Sequence, residues 1–207
     1  MGRNIGPKNK IARRFGVDLG LKTNPAKVAR RLNQKPGVHG LSKGKPTNSA
    51  FGRQLIEKQK AKYIYGMREG QFRRFVIEAT RVKGDSGINL QRLLETRLDN
   101  VVYRLGFAET RAQARQLVTH GFFMLNNQPH NVPSYLVKVG DVINLKENKT
   151  KKKLFVNLDE VLAKKEMPSW LTMDVTKKIG KVLSMPDKQD FENIFDVKLI
   201  IEYYSSR

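Results

Sequence analysis

Arginine side chains recur along two predicted helices in the middle of the chain. Arg92, Arg97 and Arg104 surround one apolar stripe, and Arg111 and Arg115 follow four residues apart, on one face of the next helix. A guanidinium group offers forked donors that fit phosphate oxygens, and it also stacks on nucleobases. This grouping therefore predicts a surface that binds a structured RNA.

Nearby carboxylates offer a simpler interpretation of the same arginines. Glu95, Asp99 and Glu109 lie in the same stretch and could hold the arginines in ordinary surface ion pairs, which contribute about 0–1 kcal/mol each. Five arginines against three acids leave an excess of positive charge. Pairing alone therefore leaves part of that charge for a polyanion.

The residue types that catalysis and metal binding require are scarce. The chain has no cysteine, which excludes disulfides and thiolate metal sites. Its three histidines, His39, His120 and His130, are too scattered to predict a metal cluster. It has neither a phosphate-cradling glycine-rich loop nor a Ser/His/Asp arrangement. We therefore expect no enzymatic activity, no cofactor and no metal.

Positive charge is concentrated in the first half of the chain. The 207 residues carry 40 Lys and Arg against 19 Asp and Glu, a net charge of +21. Residues 1–90 hold 21 of these basic residues against 5 acids, a net charge of +16. Such an excess is tolerated mainly against a polyanion, with nucleic acid as the first candidate and a membrane surface as the second. No stretch is apolar enough for a membrane span or a secretory signal, so we expect a soluble, intracellular protein.

The first 46 residues differ in composition from the rest. They hold 12 basic residues and one acid, Asp18, and they are rich in Gly, Pro, Asn and Ser. Because such a segment has few bulky apolar groups, we expect a basic N-terminal extension over 1–46 that orders on its partner. The candidate RNA contacts in this extension are Lys8, Lys10, Arg13 and Arg14.

Two basic amphipathic helices follow the extension. Apolar residues recur at helical spacing from position 47 and again from position 72, until Gly84 ends the second helix. Basic residues occupy the remaining surface of both helices. This pattern predicts a helical domain over 47–90. Its candidate RNA contacts are Arg53, Lys58, Arg73 and Arg74.

A small α+β module is predicted next. Apolar residues at helical spacing over 88–105 predict one helix that Gly106 ends. Thr110 and Gln113 then form the T-x-x-Q pattern of a capping box, in which each side chain bonds to the backbone of the other residue. Residues 122–125 and 142–145 are typical of short strands, with a turn at 126–129.

The last third of the chain is predicted to complete both domains. The lysine run at 149–153 indicates a solvated face or a linker into a short helix, and the apolar tail at 195–204 is expected to dock on a domain. The residues expected to be buried in this region are Leu158, Val161, Leu162, Trp170 and Leu171.

Several motifs resemble a known family. The stretches RLDNVVYRLG at 97–106 and TRAQARQLV at 110–118 resemble the signature of the S-four RNA-binding domain. Further matches to bacterial S-four ribosomal proteins, in order and at similar spacing, are GPK at 6–8, PGVHG at 36–40, EKQK at 57–60, YG at 65–66, QFR at 71–73 and PSWL at 168–171. The resemblance covers almost the whole chain.

This resemblance implies a fold and a function. It implies a helical domain, 47–90 completed by 190–207, interrupted by an S-four RNA-binding domain with its C-terminal elaboration at 91–189. It implies a constituent of the 30S subunit that is a primary 16S rRNA binder and nucleates assembly of the subunit body. Contact with protein S-five, a position near mRNA at its entrance, and a part in decoding accuracy are implied as well.

The resemblance also assigns residues. Carried over by position, RNA-facing roles in the inserted domain fall on Arg97, Arg104, Arg111, Arg115, Gln116 and His120. Asp99 and Asn100 match the motif too, although they could simply tie a helix to a loop. Many family members bind zinc through N-terminal cysteines beside the PGVHG stretch, and since this chain lacks them, zinc is not expected.

Three alternatives remain open. Some pseudouridine synthases and tRNA synthetases carry the same module, but they also need a large catalytic domain. A stand-alone factor that binds ribosomal particles would be shorter and would wash off with salt. A general polyanion binder would lose affinity steeply as salt rises.

Overall fold

A computed structural model describes residues 6–41, 49–150, 152, 155, 158, 162 and 165–205. Helices and one antiparallel sheet make up the fold, which confirms the predicted α+β class. The chain divides into two compact units, one formed by Met1–Leu90 with Glu192–Arg207 and the other by Gln91–Phe191. The second unit is therefore inserted into the chain of the first.

The first unit is helical. Its elements are α1 (Lys8–Phe15), α2 (Pro25–Ala29), a 3-10 turn (Val38–Leu41), α3 (Ala50–Ile64), α4 (Glu69–Arg81), the start of α5 (Ser86–Glu95), and the last helix, α9 (Val197–Ser205). Its interior contains Ile64, Phe72, Val76, Leu90 and Ile200, each at most 2% exposed. Apolar positions at helical spacing give each helix a buried face, and most of the basic residues lie outside it.

The described part of the N-terminal extension, residues 6–41, forms regular structure. Residues 6–41 contain two helices and the 3-10 turn, and Ala12, Leu19 and Val28 are buried. That this segment orders on its partner stays a prediction.

Helix α9 packs on α3, which confirms the predicted docking of the C-terminal tail. The rings of Phe51 and Tyr203 stack with their centroids 5.6 Å apart. The Tyr204 hydroxyl donates a hydrogen bond of 2.7 Å to Glu69, at the start of α4. The end of the chain therefore holds α3 and α4 together.

The second unit combines helices with a five-stranded sheet. It contains the end of α5, then α6 (Leu98–Arg104), α7 (Arg111–Thr119), β1 (Phe123–Leu125), β2 (Gln128–His130), β3 (Val142–Leu145), α8 (Glu147–Thr150), β4 (Leu171–Asp174), β5 (Ile179–Val182) and a 3-10 turn (Lys188–Asp190). The strands are antiparallel in the order β2-β1-β3-β5-β4. The short strands β2 and β4 are therefore the two edge strands, and β2 contains the exposed Pro129.

The single helix predicted over 88–105 is two helices. Helix α5 ends at Glu95 and α6 begins at Leu98, whose N–H donates to the carbonyl oxygen of Tyr135 at 2.8 Å. Arg97 forms an isolated antiparallel bridge with Leu136. A returning loop thus replaces the helical hydrogen bonds at the break, although the apolar spacing continues on both sides of it.

The predicted capping box of α7 forms in part. The Thr110 hydroxyl oxygen accepts the N–H of Gln113 at 3.2 Å, as predicted. The Gln113 side chain accepts the N–H of Glu109 at 2.9 Å and not that of Thr110. Both bonds still satisfy donors at the start of the helix.

The core of the second unit includes the predicted anchors. Leu158, Leu162, Trp170 and Leu171 are buried in one cluster with apolar residues of α6, α7 and the sheet. Val161 lies outside the described residues. Strands β4 and β5, which follow Trp170 and are joined by a turn, were not predicted from the sequence.

Candidate nucleic-acid interface

Five candidate cations of the first unit are exposed. Because Phe72, Phe75 and Val76 face the interior of α4, Arg73 and Arg74 project to solvent. The remaining exposed candidates are Lys10 and Arg14 on α1 and Arg53 on α3. These positions present positive charge where a polyphosphate can reach it.

Arg13 has a structural role in the same unit. Its guanidinium donates to the carbonyl oxygens of Gln34 and Lys35 at 2.8 and 3.1 Å, which ties α1 to the segment before the 3-10 turn. Lys8, also on α1, is half-buried. The structure therefore separates the four N-terminal candidates into two exposed and two partly covered cations.

Lys58 does not lie on the surface, contrary to the sequence-based expectation for this residue. It is 4% exposed, its ammonium group is 2.8 Å from a carboxylate oxygen of Glu69, and it sits 4.3 Å from the ring centre of Tyr203. Burial raises the pKa of Glu69, but hydrogen bonds from Lys58, Tyr204 and Lys62 outweigh it and lower the pKa to about 2. Lys58 thus joins helices and is not placed to contact RNA.

Arg97 is also interior, a second correction to the predicted contacts. Its side chain is fully buried and donates two hydrogen bonds to the carboxylate of Asp99, at 3.0 and 2.7 Å. Arg115 lies 3.4 Å from the same carboxylate. The sequence does not distinguish Arg97 from a surface arginine. It does place Asp99, the acid that pairs with Arg97, two residues away.

Glu95 gathers a second buried polar group. Arg104 donates to both of its carboxylate oxygens, at 2.9 and 3.0 Å, and the Asn100 amide donates to one of them at 2.9 Å. The Nε of Arg111 in turn donates to the Asn100 carbonyl oxygen at 2.8 Å. Asn100 therefore ties α6 to the end of α5 and to α7, as the structural interpretation of this residue expected.

The exposed part of the S-four motif is the outer side of α7. Gln116 and His120 are exposed there, and Arg115 is half-buried beside them. Arg111 is only 8% exposed, and its guanidinium lies 4.5 Å from the ring centre of Tyr103. Because the guanidinium of Arg111 is covered, the side chains of α7 that solvent or RNA can reach are mainly Gln116 and His120. Arg115 is only partly accessible.

Arg92 lies apart from this group. It is half-buried, donates to the Pro186 carbonyl oxygen at 3.1 Å, and pairs with Asp187 at 3.3 Å. The structure brings Arg97, Arg104, Arg111 and Arg115 together through shared acids and Asn100. It leaves Arg92 with the loop before the second 3-10 turn.

Two family models match the chain. Residues 3–95 match the Ribosomal protein S4/S9 N-terminal domain, and residues 96–143 match the S4 domain. A small ribosomal subunit protein uS4 from Leptothrix cholodnii is 47% identical over 207 residues, covering 99% of this chain and 100% of the relative. Proteins of the same name from Roseiflexus castenholzii and Burkholderia vietnamiensis are 46% and 47% identical, with the same coverage.

The chain belongs to the uS4 family of small ribosomal subunit proteins. This confirms the resemblance to bacterial S-four proteins drawn from the motifs. Members of the uS4 family are structural ribosomal proteins and not enzymes, so the expectation of no catalytic activity is confirmed as well. The family places the chain in the small ribosomal subunit and gives it an RNA-binding domain.

Lys165 was not among the residues predicted from the sequence. Its ammonium group donates to the Tyr103 carbonyl oxygen at 2.5 Å. Burial, with the nearby charges of Arg104 and Arg111, lowers the pKa of Lys165 to about 8. The sequence offers no signal for this position because its neighbours come from distant elements.

In the described part of the chain, no three His, Cys, Asp or Glu residues come together as metal ligands. Within the same residues, no helix is long and apolar enough to cross a bilayer.

Proposed function

We propose that the protein is a primary binder of 16S rRNA that nucleates assembly of the body of the small subunit. As a uS4-family protein, the chain is an rRNA-binding constituent of that subunit. The further proposal concerns the order of binding: the chain binds RNA before other proteins have shaped it. Two folded, basic units are suited to that task because each buries a core made of residues of this chain.

The observation that carries this proposal is the division of the candidate residues by exposure. The acids of the S-four motif are occupied by Arg97, Arg104 and Arg115 inside the second unit. Arg73 and Arg74 stay exposed on the first unit. Arginines that pair with buried acids are not available to phosphate groups, whereas the exposed Arg73 and Arg74 are.

The proposed contacts follow from this division. In the first unit they are Lys10, Arg14, Arg53, Arg73 and Arg74, and in the second unit Gln116 and His120. Arg115 is not included, because it pairs with Asp99 and its side chain is 12% exposed. RNA duplex grooves are poorly accessible to side chains, so these groups are proposed to recognise the shape of a multi-helix junction. Phosphate contacts from both units would restrict helices that otherwise sample several stackings.

Binding to protein-free RNA tests the proposal. The full chain should prefer the 5′ part of 16S rRNA over tRNA and over random transcripts at physiological ionic strength. Chemical probing of the junction with and without the chain should show protected nucleotides. Equal affinity for all three RNAs, or an unchanged junction, would remove the proposal.

A charge-matched pair of variants sharpens this test. Replacing Arg73 and Arg74 by alanine removes two exposed cations from α4, while replacing Lys177 and Lys181 removes two from the β4–β5 hairpin. If each arginine neutralises one phosphate, the slope of log affinity against log salt should flatten by about 1.4 to 1.8 in the first variant. The hairpin variant should change it less.

The role within the ribosome is part of the same proposal. We expect the chain to remain on salt-washed 30S particles, whereas a stand-alone factor would wash off. Contact with protein S-five, a position near mRNA at its entrance, and an effect on decoding accuracy are proposed from family membership. Crosslinking within 30S particles tests the two contacts, and a misreading reporter in cells that carry the Arg73 and Arg74 substitutions tests accuracy.

A further inference from the structure

A groove with an aromatic wall and a cationic rim runs between α1 and α3 in the first unit. It consists of two cavities of about 560 and 740 Å³. Arg14, Lys35 and Tyr63 line both cavities, so the two are continuous. Volumes of this size are typical of sites for small organic ligands, roughly 300–1,000 Å³.

The rim of this groove carries cations that the chain itself does not neutralise. Lys10, Arg14 and Lys35 are exposed, and none of them pairs with a carboxylate in the described part of the chain. Lys60 and Lys62, deeper along α3, do pair with Glu57 and Glu69. Since no described acid lines either cavity, the open end of the groove is positively charged.

The wall of the groove offers a ring for stacking. Tyr63 is half-buried and packs against Phe15, with ring centroids 5.9 Å apart and planes tilted by 51°. Ile11 and Ile56 extend the apolar wall on either side. No described residue hydrogen-bonds to the Tyr63 hydroxyl. The Lys62 ammonium lies 5.7 Å from the centre of the same ring. Tyr63 lines both cavities, so helix packing places this aromatic group in the wall of the groove.

We propose that this groove binds a single nucleotide whose base has left the helical stack. The base stacks on Tyr63, and the adjoining phosphate lies against Arg14 and Lys35. An acidic peptide would satisfy the cations but not the ring, whereas every nucleobase has a face that stacks on an aromatic side chain. The proposal deepens the proposed function when the nucleotide belongs to rRNA. A free nucleotide has the same chemistry.

Ultraviolet crosslinking of the full chain to the 5′ part of 16S rRNA tests the groove. A stacked tyrosine should form an adduct on the peptide that contains Tyr63, which mass spectrometry locates. Tyr63→Leu should lose the adduct and lower affinity on the order of 10-fold, while Tyr63→Phe should keep nearly full affinity. Phe51→Leu is the matched control, because Phe51 is an exposed aromatic residue of the same helix that does not line the groove.

A second pair of variants tests the groove even if the Tyr63→Leu variant does not fold. Arg14→Ala with Lys35→Ala removes two rim cations and keeps the apolar wall. Lys27→Ala with Arg30→Ala removes two exposed cations of the same unit that do not line the groove. The rim variant should lose more affinity than its control and form less of the Tyr63 adduct.

The outcomes separate the possible occupants. Adducts formed with AMP or GMP at the same efficiency as with the rRNA fragment indicate a free nucleotide. Polyglutamate that abolishes the adduct as effectively as a mononucleotide would overturn the proposal in favour of an acidic peptide. If the chain prefers the rRNA fragment, forms no Tyr63 adduct, and both charge-removal variants bind alike, the groove proposal fails. The proposed function then stands. A wild-type chain without preference for that fragment refutes the proposed function instead.

Discussion

Replacing Asp99 with alanine removes the carboxylate that holds the buried guanidinium of Arg97. The pair has two hydrogen bonds, at 3.0 and 2.7 Å, and side-chain exposures of 0% and 6%. Removing one partner of such a buried pair costs about 3–5 kcal/mol, because the remaining charge stays out of water. Two charge-assisted bonds at about 1.5–3 kcal/mol each give a similar figure. We therefore expect Asp99→Ala to lower the free energy of unfolding of the second unit by about 3 kcal/mol.

Urea unfolding followed by tryptophan fluorescence measures this loss. Trp170 is the single tryptophan of the chain and is fully buried in the second unit, so its emission reports on that unit. With a denaturant slope of about 1.5 kcal/mol per M, the midpoint should fall by roughly 2 M.

The matched control is Asp187→Ala, whose carboxylate is 69% exposed and pairs with Arg92 at 3.3 Å. That change should cost less than about 1 kcal/mol. Equal midpoints for the two alanine variants would refute the reasoning that burial decides the strength of these pairs.

Four further predictions concern pH and packing. Glu69 has its pKa lowered from 4.5 to about 2, so its contribution to stability is complete above pH 4.5 and is lost as the pH falls toward 2. Glu69→Gln should remove this loss in calorimetry. Lys165 has its pKa lowered from 10.5 to about 8, so stability should rise between pH 8 and 10.5 and Lys165→Met should abolish the rise. Gly180→Ala would place a methyl group against Leu105 and should cost about 1–3 kcal/mol by Trp170 fluorescence. Gly70→Ala, with no neighbour within 4 Å, should leave the first unit slightly more stable, by about 0.4–1 kcal/mol in calorimetry.

Periodicity predicted the long helices and the first strands, but not the points where the chain changes direction. The helical spacing of apolar residues located α3, α4 and α7, because each of these helices buries one face. The same spacing continued across the break between α5 and α6, where bonds from a distant loop decide the geometry. Strands β4 and β5 are as long as β3 but were not predicted from the sequence.

The candidate site was predictable in composition and not in exposure. The sequence identified the arginines of the S-four motif and the acids that could pair with them. The sequence could not show that Arg97 lies inside, because the burial of its side chain depends on how α5, α6 and the loop before Val137 meet. The grouping of Arg14, Lys35 and Tyr63 around one groove likewise depends on tertiary packing.

The edge strands of the sheet affect whether copies of the protein that are not bound to RNA aggregate. Strand β2 is three residues long and carries Pro129, which has no N–H to offer a second chain. Strand β4 is four residues long and ends at the exposed, charged Asp174. Edge strands that are short, or that contain proline or end in a charged residue, are poor templates for pairing with a strand of another chain. A surplus of newly made chains can therefore wait for its polyanion without polymerising through this sheet.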